Sequence, residues 1–72
     1  MKRVVRKSDT SMFVKSDGTE TDVIEIARSF GSYDEAVDFC KIKRLTSVEL
    51  VVHMDDNSQL TVAVPAKRLA VH

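Results

Sequence analysis

Apolar and polar positions alternate most regularly between Ser47 and Val64. Val48, Leu50, Val52 and Met54 alternate with Glu49, Val51 and His53, and Leu60, Val62 and Val64 alternate with Thr61 and Ala63. The polar knot Asp55-Asp56-Asn57-Ser58 separates the two runs, so the stretch predicts a β-hairpin. Side chains alternate faces with period two, and a one-residue slip would send one apolar row into solvent. An odd loop keeps both rows on one side. The loop Asp55-Asp56-Asn57 meets that condition, with Asn57 in the left-handed region that Asn tolerates. The expected pairs are Val52 with Leu60, Leu50 with Val62 and Val48 with Val64. Glu49, Val51, His53, Thr61 and Ala63 then face outward, and Pro65 ends the strand for want of an N–H.

A helix is expected over residues 33–44. Ser32 can cap its first turn, with Glu35 completing a capping box. Asp34 and Glu35 suit the positive end of the helix dipole, and Lys41, Lys43 and Arg44 the negative end. Tyr33, Ala36, Val37 and Cys40 share one stripe, flanked by Phe39, while Ile42 points nearly opposite.

The earlier chain gives weaker patterns. Thr10–Lys15 is β-prone and predicts a strand, with Met12 and Val14 on one face and Phe13 on the other. Asp17-Gly18 marks a turn, closing either a tight hairpin or a looser loop. Val23, Ile26, Ala27 and Phe30 fit a helical face, but the β-branched residues and short length predict a strand over Val23–Phe30. Residues 1–9 read as a flexible basic arm, with an edge strand through Val4–Arg6 as the alternative. Residues 66–72 leave helical turn, edge strand and frayed tail open. The expected domain is α+β, in the order β-β-α-β-β, with one helix on one face of a mainly antiparallel sheet of three or four strands. Its folded core spans 10–65.

Seventy-two residues make one domain with a small core. Cys40 is the only cysteine, which excludes an internal disulfide and suits a reducing cytoplasm. No apolar run approaches a membrane span, and the basic start lacks a signal peptide's apolar region. The expectation is therefore a soluble cytoplasmic protein with no membrane partner. Net charge is zero, yet the signs are segregated: residues 1–16 sum to +4, 17–38 to −6 and 39–72 to +2. Such blocks suit self-complementation of a small fold or a charged partner.

Catalytic chemistry finds little to build on. His53, His72 and Cys40 are too few and scattered for a structural zinc site, and no metal or cofactor is expected. Cys40 sits on the core stripe rather than beside a base. Asp34/Glu35 and Asp55/Asp56 are accounted for by capping and turn chemistry, and the second pair lacks a calcium loop's spaced ligands and distal Glu. Gly18 and Gly31 form no phosphate loop. No enzyme is expected. The sequence points instead to a non-catalytic protein-interaction module, able to form a homodimer through an edge strand or the Phe39/Ile42 flank, with Val51 on the outer sheet face as a further contact. The alternative is an electrostatic nucleic-acid binder using Lys2, Arg3, Arg6, Lys7, Lys41, Lys43, Arg44, Lys67 and Arg68.

Overall fold

The computed structural model describes residues 1–69, and His72 lies outside them. Five strands form one antiparallel sheet: β1 (Lys2–Lys7), β2 (Phe13–Val14), β3 (Glu20–Thr21), β4 (Val48–His53) and β5 (Gln59–Ala63). Their spatial order is β3-β2-β1-β4-β5. A ten-residue helix, α1 (Tyr33–Ile42), and a single turn, α2 (Ala66–Leu69), complete the α+β domain.

The basic start is not an arm. It is the central strand, paired with β4 from Lys2–His53 to Lys7–Val48 and with β2 at Arg6–Phe13. Val4 and Val5 are adjacent, so each enters a different face of the sheet, and both are fully buried. Two of the flanking cations find partners from distant parts of the chain. The Arg6 guanidinium lies 2.7 Å from Glu49, its cross-strand neighbour, and the Lys2 ammonium donates to the Glu25 carbonyl at 2.9 Å.

The hairpin forms in the expected register, from Glu49–Ala63 to His53–Gln59. Asn57 has φ 70° and donates its N–H to the Met54 carbonyl, while the Met54 N–H donates to Ser58. The β2–β3 hairpin closes in the same way. Gly18, at φ 88°, donates to Lys15, and the Lys15 N–H donates to Thr19. In both turns an aspartate, Asp17 or Asp56, accepts from the backbone N–H and hydroxyl two residues on. That pair of bonds holds each carboxyl below its ordinary pKa.

Two further expectations along the early chain are corrected. The Thr10–Lys15 strand shrinks to Phe13–Val14, because Ser11 takes φ 60° and donates to the Lys7 carbonyl in a tight β1–β2 turn. Val23–Phe30 is not a strand. Ile24–Ile26 is a 3-10 turn, and the following extended residues are tethered by Arg28 N–H to Val14 and Phe30 N–H to Arg3. This segment serves both faces: Ile24 and Ala27 pack on Val4, Val51 and Phe13, while Phe30 enters the core beneath α1.

The main core joins Val5, Val14, Val48 and Leu50 to Ala36, Val37, Phe39 and Cys40 of α1, closed by Leu69 of α2. Helix α1 starts as expected, with the Ser32 hydroxyl accepting from Glu35 N–H at 3.1 Å. Glu35 reaches one residue further than a capping box, to Gly31 N–H. The helix stops two residues earlier than its pattern suggests. Arg44 N–H donates to Lys41 and Leu45 N–H to Cys40, with Arg44 at φ 55°. These are the two bonds of a Schellman motif.

Candidate interaction surface

Strand β5 ends the sheet, and no described strand lies beyond it. Every one of its residues is exposed, including Leu60 at 58% and Val62 at 39%. Both lie on the helix side, where Val62 is paired with Leu50 of the core and Leu60 with Val52, which packs against that core. They stay uncovered because α1 packs over β1 and the inner face of β4, and α2 packs on α1. The sequence assigned Leu60 and Val62 to the core. The register is right, and the cover does not extend that far.

The edge has a definite hydrogen-bonding parity. Antiparallel neighbours alternate between bonded and non-bonded pairs. Met54 and Ser58 form the bonded pair that closes the turn. Leu60 and Val62 therefore direct their backbone groups toward β4, while Gln59, Thr61 and Ala63 direct theirs outward. The Ala63 carbonyl takes the Tyr33 hydroxyl at 3.4 Å, which leaves its second lone pair open. From Asn57 to Ala66 the chain carries no charge. Natural edge strands are commonly protected by charge, a bulge or Pro within the strand. None of these interrupts Gln59–Ala63, and Pro65 comes only after it.

The residues expected to bind a protein partner divide. Val51, placed on an open face, is 0% exposed, because the 3-10 segment covers that face with Ile24 and Ala27. Phe39 is 7% exposed, tilted against Phe30 with ring centroids 5.2 Å apart. Ile42 alone of the three projects into solvent, at 77% exposure. It borders a shallow groove of 340 Å³ with Arg28, Glu35, Asp38, Phe39 and Lys43. The Arg28 guanidinium occupies the groove's wall, 5.0 Å from the Phe39 centroid, 5.2 Å from that of Phe30 and 3.9 Å from a Glu35 oxygen. The arginine is engaged within the chain by these two rings and by Glu35.

The nine basic residues do not form one field. Along β1, Lys2 and Arg6 share a face with Val4, and Arg3 and Lys7 share the opposite face with Val5. Arg6 is paired with Glu49, Lys7 approaches Glu20 at 4.0 Å, and Arg68 meets Asp34 at 3.2 Å while lying over the Tyr33 ring. Lys41, Lys43 and Arg44 stand at the end of α1, and Lys67 on α2.

Cys40 is buried, and desolvation pushes its thiol up to about 11. That is the reverse of an activated nucleophile, whose pKa must fall. Among the described residues no group of three or more His, Cys, Asp or Glu could hold a metal ion, and no helix is long and apolar enough to cross a membrane. No family model matches the chain, and comparison with characterised proteins and solved structures finds no significant match. The functional reading therefore comes from the surface itself.

Proposed function

We propose that this domain is a non-catalytic protein-interaction module that works by strand addition at β5. The observation that carries the reading is an uncharged edge of five exposed residues, with outward N–H and C=O groups on Gln59, Thr61 and Ala63. An added extended segment would satisfy those groups and set its own side chains beside Leu60 and Val62 on the helix side, so main-chain bonding and lateral apolar contact act together. The buried, unactivated Cys40 supports a non-catalytic role and suits a reducing cytoplasm.

The test is selection of short extended peptides from a displayed random library on the immobilised domain, with amide exchange as the map. Binders should slow exchange at Thr61 and lose affinity to a Thr61→Pro variant, which removes an outward donor without breaking a β4–β5 bond. Peptides that protect the groove at Ile42 instead, or bind Thr61→Pro equally well, would overturn the reading.

A further inference from the structure

We infer that the natural occupant of the β5 edge is a second copy of this chain, added antiparallel about a two-fold axis through Thr61. The inference rests on the strand-addition reading and names its partner. Three observations select that partner and that register.

The first is parity. Three residues of β5 face outward, and Thr61 is the middle one. A two-fold axis at Thr61 sets it against Thr61 of the partner subunit, and sets Gln59 against Ala63 of the partner subunit. Every outward N–H and C=O of the strand then lies within a bonded pair. The arrangement is isologous and closes at two copies, which gives a continuous sheet across the dimer.

The second is side-chain matching. In this register Leu60 lies opposite Val62 of the partner subunit on the helix side. The exposed apolar residues of both copies merge into one patch, and the uncharged residues Gln59, Thr61 and Ala63 meet their counterparts on the other face. The absence of charge from Asn57 to Ala66 means that no like charges are opposed when the strand meets itself.

The third is charge complementarity beyond the strand ends. Antiparallel addition carries the acidic turn of one copy toward the basic first turn of α2 in the other. Asp55 lies in that turn and Lys67 of the partner subunit in that helical turn, both beyond the paired strands. Lys67 is exposed and makes no ion pair among the described residues. Asp55 is exposed and holds the Met1 ammonium through one oxygen, leaving the other open. Parallel addition would instead set the two acidic turns side by side. The antiparallel mode joins opposite charges.

The experiment is sedimentation equilibrium on the whole chain and on two exposed-site variants, Thr61→Lys and Thr61→Glu. Each variant places like charges against each other at the two-fold axis, and each should weaken self-association by ~tenfold. An equimolar mixture of the two should restore association to near the wild-type value, because only position 61 facing itself can pair Lys with Glu. Lys67→Glu should weaken the wild-type dimer by ~threefold. A chain that remains monomeric while selected peptides bind β5 would overturn this inference and leave the strand-addition reading standing. A chain that neither dimerises nor takes a peptide at β5 would overturn both. A dimer indifferent to Thr61→Lys would place the contact elsewhere and defeat the inference.

Discussion

Strands β1 and β5 flank the same partner, β4, and meet opposite fates. β1 carries four cations in six residues and lies at the centre of the sheet. β5 carries no charge and is exposed along its whole length. The difference lies in what covers each. Val4 and Val5 are covered from opposite sides, by the 3-10 segment with Val51 and by the core beneath α1. Leu60 and Val62 alternate correctly but lie outside the helix's reach. Alternation assigns residues to a face; burial also requires another element over that face. A strand that is apolar in pattern and uncovered in space is a candidate surface for association.

The sharpest way to break this comparison is to place a carboxylate in each strand. Val5→Asp buries an unpaired charge at the centre of the core and should cost more than about 4 kcal/mol, enough to unfold a small domain. Val62→Asp should cost the monomer only about 1 kcal/mol in urea unfolding, while suppressing association at β5. Equal losses of stability would show that β5 is as covered as β1.

A second pair separates the two residues once grouped as a helix flank. Phe39→Ala removes a ring packed on Phe30 beneath Arg28 and should cost about 3–5 kcal/mol in urea unfolding. Ile42→Ser should change stability by less than about 0.5 kcal/mol, since its side chain is already in water. A costly Ile42→Ser would mean that the groove beside it is covered in solution.

Cys40 offers a pH handle on the covered side of the sheet. Its folded pKa of about 11 lies above the ordinary thiol value, so the unfolded chain releases its proton first as pH rises. The contribution of Cys40 is thus complete below about pH 8.5 and declines until the pH passes about 11, a loss on the order of 2 kcal/mol. Stability curves of the wild type and Cys40→Ala should converge over that window. Parallel curves would place the thiol in contact with solvent. No such convergence is expected for a cysteine substituted at Leu60.

The parts of the fold set by local chemistry were legible in the sequence. The Ser32 cap, the left-handed Asn57 and the β4–β5 register each follow from a few adjacent residues. The parts set by remote contacts were not. β1 resembles a charged arm until Glu49 and the Glu25 carbonyl supply partners from distant positions. Val51 looks exposed until Ile24 and Ala27 fold over it, and their segment resembles a strand because a 3-10 turn has no marker of its own here. The candidate surface was half legible. An uncharged run ended by Pro65 marks an edge, but the absence of cover over Leu60 depends on where α1 stops.

That stop yields the smallest and most local prediction. Arg44 occupies the left-handed position of the Schellman motif, where glycine is usual because a Cβ there is strained. No glycine marks the end, so the helical pattern runs on through Arg44, whereas the structure ends α1 at Ile42. Arg44→Gly relieves the strain at φ 55° and should stabilise the domain by about 0.5–1 kcal/mol, after allowing for glycine's greater freedom when unfolded. Lys41→Gly, inside the helix, should destabilise it by about the same amount. Opposite signs for two glycines three residues apart would fix the boundary of α1 in solution. If Arg44→Gly were destabilising instead, α1 would continue through residue 44, and the limit of its cover over the sheet would have to be redrawn.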